Sequence, residues 1–182
     1  MRFEACLPVI LASEGGFVDD PADPGGATNL GVTRTTLSSW LGRTATIAEV
    51  EALTPANVAP IYRARYWNPA HAGDCPPGAD LMVFDEAVNQ GVGRAFASLQ
   101  SALGVTAGGA FGPATRAALG HADPAQLIHA IAANREAHYR ALPGFRRFGH
   151  GWLSRLERTM AVALDMAIPQ APLIPAKAGM SG

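Results

Sequence analysis

The chain has 182 residues, of which 48% are hydrophobic and 16% charged, enough apolar content to bury a core as one domain or two closely packed lobes and to exclude a disordered protein. A formal net charge of -1 provides no basic surface for neutralising phosphates, so no nucleic-acid partner is expected. No stretch approaches the roughly 20 apolar residues that cross a bilayer, so no stable membrane insertion is expected either.

In chain order, Phe3, Leu7, Ile10 and Leu11 recur at helical spacing and predict a first helix that carries on to Glu14, about three turns from Phe3. Arg2 and the short apolar run from Cys6 to Ala12 make a poor export signal, because Glu4 interrupts the basic region and cleavage after Ala12 or Ser13 would remove the helix that presents Glu14. Residues 15 to 34 read as a loop or short hairpin built on Asp-Pro, Asp-Pro-Gly-Gly and Asn29. A short helix follows, with Leu37, Trp40 and Leu41 on one face and Gly42 as its stop. Thr46-x-x-Glu49 is a capping box, and Thr54-Pro55 starts a helix to about Trp67 that Pro60 should kink.

Pro76, Pro77 and Gly78 form a connector into a buried helix marked by Leu81, Phe84, Ala87 and Val88. Gly91 and Gly93 break that pattern before Phe96, Leu99 and Leu103 resume it. Pro113 and Asp123-Pro124 start two more helices, and the last helix is expected from about Gly151 to Ala167. From Ile168 on, three prolines and no periodicity predict a flexible tail. The pattern gives three regions: 1-78, a helical region 79-167 packed against it, and the tail 168-182.

Cys6 and Cys75 are too few for a disulfide framework and read as free thiols, while the five histidines lack ligand spacing, so no metal site is expected. Glu14 is the residue with chemistry. It sits on an apolar helical face ahead of Gly15-Gly16, where desolvation would raise a carboxyl pKa toward the range useful for donating a proton. Its alternative is a helix-end glutamate paired to Arg2 or another arginine. Arg140, Arg146, Arg147, Arg155 and Arg158 gather late in the chain, as a solvated helix face or a local positive surface toward an anionic polymer.

From Glu14 to Thr33 the sequence E-G-G-F-V-D-D-P-A-D-P-G-G-A-T-N-L-G-V-T resembles the signature of the family 108 glycoside hydrolases, which are N-acetylmuramidases. Residues 61–67 (I-Y-R-A-R-Y-W) and 83–91 (V-F-D-E-A-V-N-Q-G) resemble later blocks of that family, and 99–115 resembles its predicted peptidoglycan-binding half. The resemblance covers about residues 3 to 158 and implies a mainly α, lysozyme-like fold with a small N-terminal β-hairpin. It also implies a 1-78 catalytic region, with Glu14 essential. The activity it implies is cleavage of the β-1,4 bond between N-acetylmuramic acid and N-acetylglucosamine in peptidoglycan glycan strands, by a monomer that needs no cofactor. Action in the periplasm or at the cell wall would then follow delivery by a holin-like lesion or dedicated exporter.

Hydrolysis requires a proton on the leaving oxygen, which Glu14 would supply, and a group on the opposite face of the sugar. Asp23 is the preferred partner among Asp19, Asp20 and Asp23, by similarity to phage-type lysozymes in which an aspartate and a threonine, here Thr28, flank the water; a turn role is its alternative. Asp20, Asn29, Thr33, Tyr66, Trp67, Asp85 and Asn89 are candidate substrate-binding residues. Tyr66 and Trp67 equally suit closing a helix against the core, and Asp85 and Asn89 equally suit holding the Glu14 loop. Two positions depart from the family. Glu86 replaces an apolar or aromatic residue, as a solvated change or an additional acid near the cleft, and Gly109 replaces an acidic one. A lytic transglycosylase using Glu14 and a non-catalytic peptidoglycan-binding or secretion-accessory module are the alternative functions.

Overall fold

The computed structural model describes residues 2–19, 26–106 and 110–169. Asp20, Asp23, Gly109 and the tail beyond residue 169 therefore lie outside the described residues. The fold is mainly α with one small two-stranded antiparallel sheet.

Helix α1 (Arg2–Leu11) buries Phe3, Cys6, Leu7 and Ile10. It stops three residues before the predicted end, because the chain tightens into turns in which Ser13 N–H bonds Ile10 O and Glu14 N–H bonds Leu11 O. Glu14 thus sits in a bend after the helix. Strands β1 (Thr28–Asn29) and β2 (Val32–Thr33) pair Thr28 with Thr33 and Asn29 with Val32. Leu30 (φ 49°) and Gly31 (φ 71°) make the two-residue connection, the positive-φ pair that a tight hairpin requires. Val18 and Thr28 exchange backbone hydrogen bonds at 2.8 Å in both directions, which ties Val18 to the hairpin.

Helix α2 (Arg34–Leu41) is capped by Thr33 and ends at Gly42. Only Leu37 of its predicted apolar face is buried; Trp40, 45% exposed, and Leu41 line a surface groove with Ile61 and Leu53. The predicted capping box is present at α3 (Ile47–Glu51), and at α4 (Pro55–Tyr62) the Thr54 cap is completed into a second box by Asn57. Past Pro60 the helix widens into a π-helical turn, Arg63–Trp67, which carries the helical path to the expected end at Trp67. The widening has a packing consequence. Tyr62 and Trp67 both meet Phe84, at centroid distances of 6.2 and 5.3 Å. Five residues apart in an α-helix, they would point about 140° away from each other.

After a 3-10 turn (Ala72–Asp74), α5 (Ala79–Gln90) forms the central helix, buried along nearly its whole length. Arg2 fixes its start by donating to Cys75 O and Gly73 O and by pairing with Asp80 at 3.5 Å. Around α5 pack α1, α6 (Val92–Ala102), α8 (Pro124–Ala141) and α9 (Phe145–Ala167), with α7 (Pro113–His121) following α6. Fully burying each large apolar side chain of this core contributes about 1.5–3 kcal/mol. Helix α9 begins six residues before the predicted Gly151. Its interior Gly149 is one turn from Phe145 and leaves room for that ring, which a Cβ would meet at 2.6 Å. Cys6 and Cys75 are free and buried, their thiols pushed up to about 12 chiefly by burial.

Candidate active site

The Glu14 side chain is 20% exposed and is held between the hairpin and α9. On the hairpin side it abuts Gly31, where an added Cβ would lie 2.9 Å from Glu14 Oε2 and 2.3 Å from the Tyr62 hydroxyl. Only a glycine, with positive φ and no Cβ, allows the turn to come this close. Tyr62 donates its hydroxyl to Leu30 O at 3.0 Å and so fixes the turn. Burial, with the Glu14 carboxylate adding to it, raises the Tyr62 phenol well above its ordinary range and keeps it a donor.

On the α9 side Arg155 Nη2 lies 3.3 Å from Glu14 Oε1. The same guanidinium donates to Asp85 Oδ1 through Nε at 3.1 Å and Nη2 at 2.9 Å. Asp85 Oδ2 in turn accepts from Arg135 Nη2 at 2.7 Å. Arg135 Nη2 also donates to the Tyr139 hydroxyl at 3.2 Å, and that hydroxyl donates to Asn89 Oδ1 at 3.1 Å. A continuous polar chain therefore runs from Glu14 through α9 and α5 to α8. Burial works against the charge on Arg155, but Asp85 and then Glu14 outweigh it and raise its pKa. In Arg135, 0% exposed, Asp85 is again the principal group outweighing burial.

Of the two readings of Glu14, the structure shows the ion pair, on a half-buried carboxylate. Its partner is Arg155 and not Arg2, which is engaged with Asp80.

The other sequence-predicted residues fall into separate groups. Asp85 is buried and reaches Glu14 only through Arg155, and Asn89 is exposed at the far end of the same chain. Asn29 is buried and donates to Val50 O and Glu51 O at 3.1 and 2.9 Å, occupying carbonyls at the end of α3. That geometry anchors the hairpin and leaves no amide hydrogen pointing to a cleft. Thr33 caps α2, and Thr28 donates to Gly26 O at 3.2 Å while bridging Val18. Trp67, 5% exposed, packs edge-on to Phe3 and Phe84 and belongs to the core instead of a cleft wall. Tyr66 is half-buried against Tyr62 at 5.5 Å and keeps an accessible edge. Glu86 is neither solvated nor in the cleft, being 0% exposed.

Sequence reasoning missed Arg155, Arg135 and Tyr62 as parts of the site. The arginine cluster was visible, but a contact spanning 141 positions leaves no local signal that selects Arg155 from its neighbours.

Residues 7–91 match the family described as Glycosyl hydrolase 108, and residues 94–157 match the family described as Predicted Peptidoglycan domain. The two matches meet at the break between α5 and α6. Among solved structures, SagA of Brucella abortus is similar: it is 40% identical, with 92% of this chain and 97% of that chain covered and a TM-score of 0.79. No curated protein matches the chain.

Proposed function

The chain belongs to the glycosyl hydrolase 108 family, and from that membership we propose that it is an N-acetylmuramidase whose general acid is Glu14. As a glycoside hydrolase with a predicted peptidoglycan domain on a lysozyme-like fold, it acts on peptidoglycan. The finer reading rests on one observation: a half-buried carboxylate pinned between a glycine turn and an arginine, with a fifth of its surface left open.

In this mechanism Glu14 delivers its proton to the oxygen between N-acetylmuramic acid and N-acetylglucosamine as the bond breaks. Gly31 lets the sugar and hairpin backbone approach the acid. Arg155 holds the carboxylate in one rotamer and stabilises the charge left on it once the proton has gone. Asp23, which lies in sequence between the bridged Val18 and Thr28, activates the water on the opposite face. That arrangement calls for inversion, with carboxyl groups about 6.5–9.5 Å apart.

Digestion of purified sacculi by wild type and Glu14→Gln, followed by turbidity and mass spectrometry, tests the reading. The expected result is release of reducing N-acetylmuramic ends by wild type and a loss of at least about 100-fold in Glu14→Gln. Clearing by the mutant would reject Glu14 as the acid, and 1,6-anhydro products from wild type would replace hydrolysis with transglycosylation. Asp23→Asn is expected to fall similarly in rate while still pelleting with sacculi; wild-type rates would remove Asp23 from the mechanism.

A further inference from the structure

We propose that the groove between the end of α1 and α9 receives the acidic peptide stem of the strand being cut. This inference rests on the muramidase reading of the neighbouring Glu14. The groove has a volume of about 740 Å³; Val9, Ala12 and Ser13 line one side and Gly151, Arg155, Arg158, Thr159 and Val162 the other. It reaches Ser13, the residue before Glu14, so a ligand there is adjacent to the bond that Glu14 protonates.

Its charge selects the ligand. Positions 147, 151, 155, 158 and 162 recur at three- and four-residue spacing and share one face of α9, which aligns Arg147, Arg155 and Arg158. Arg155 is occupied by Asp85 and Glu14, but Arg158 is exposed and its described polar contact is a 2.7 Å bond from Nη1 to Ser154 Oγ. Among the described residues, and apart from Glu14 next to it, no carboxylate lines the groove; Asp165 lies two turns beyond Arg158.

A glycan backbone of N-acetylated sugars has no charge to meet these cations. Its anionic groups are on the stem peptide, attached through the lactyl ether of the muramic residue whose glycosidic bond is cut. The stem therefore branches off beside the acid, where the groove begins. Open space at Gly151, where an added Cβ would touch nothing, admits a peptide backbone close to α9. Val9, Ala12 and Val162 suit the methyl groups of alanine residues in the stem, and the Ser13 and Thr159 hydroxyls suit its amides.

The test compares kcat/KM on intact glycan strands and on the same strands stripped of stems by an amidase, which leaves one lactyl carboxylate per muramic residue in place of the stem and its several carboxylates. Wild type is expected to favour intact strands by about tenfold, and Arg158→Glu to bring that ratio close to one. Arg146→Glu makes the same charge change on α9 from the opposite side of the helix, two and a half turns from Arg155, and should keep the wild-type ratio. Equal cutting of both substrates by wild type, or an unaltered ratio in Arg158→Glu, overturns the proposal.

A second readout is independent of catalysis: calorimetric titration with N-acetyl-L-Ala-γ-D-Glu-meso-diaminopimelate, which has three carboxylates and one ammonium. Binding by wild type that weakens at least about tenfold in Arg158→Glu and fades with added salt supports the groove. No binding by wild type rejects it. Absence of muramic reducing ends from both substrates would count against the Glu14 reading alone, and the titration would still decide the groove.

Discussion

Asp85 and Glu86 are neighbours on α5 and equally deep, yet the two sides of the helix treat a carboxylate in opposite ways. Asp85 accepts three hydrogen bonds from the guanidinium groups of Arg135 and Arg155. Glu86 has both oxygens buried without a hydrogen-bond partner among the described residues. The Ser98 hydroxyl faces it without completing a bond of normal geometry, and Arg135 and Arg94 draw the charged form down while Asp85 opposes it. Burial outweighs these and pushes the Glu86 carboxyl up to about 7. Partners, and not depth, thus decide whether a buried acid organises its surroundings or holds a proton.

The largest break in this comparison comes from removing the acid that has partners. Asp85→Ala leaves Arg135 buried with no counter-charge and is expected to cost about 3–5 kcal/mol in urea unfolding. Activity should fall with it even where the protein remains folded, because Arg155 loses the anchor that aims it at Glu14. A cost below about 1 kcal/mol would show that the ion-paired side contributes no more than a surface pair.

The opposite sign is expected on the other side. The folded-state value of Glu86 lies above its ordinary 4.5, so the folded protein binds the proton more tightly. Its contribution is then fully present below about pH 4.5 and is lost as pH rises through about 7. That displacement corresponds to roughly 3 kcal/mol. Glu86→Gln mimics the protonated acid, so it should flatten the stability profile between these values and unfold at higher urea than wild type at pH 8. Parallel profiles for mutant and wild type would mean that Glu86 finds a partner when it ionises.

Much of this was legible before the fold. Caps at Thr46, Thr54 and Asp123 set helix starts because a cap is a local event within four residues. Glu14 stood out as the candidate acid because its motif is contiguous. Trp67 and Asn29 were not legible, since an aromatic or amide suits a cleft and a core equally until neighbours are known. Glu86 was misread because polar residues are seldom fully buried, and only the packing of α5 against α6 and α8 reveals that this one is.

The smallest effects test whether the Asp85 side, which bonds the same Arg155 as Glu14, places that carboxylate. Gly31→Ala puts a methyl group into both the Tyr62 hydroxyl and Glu14 Oε2 at a positive φ, and should cost about 1–2 kcal/mol of stability and at least about tenfold in kcat. Tyr62→Phe alone removes one hydrogen bond to Leu30 O and should cost about 1 kcal/mol. Combined, the two changes separate support from chemistry. Loss of the hydroxyl opens space for the methyl group introduced by Gly31→Ala, so the double mutant should be less destabilised than the sum of the single changes. The clash with Glu14 remains, so kcat should stay as low as in Gly31→Ala. Recovery of both together would mean that Gly31 serves the hairpin alone, with Arg155 sufficient to hold the carboxylate in place.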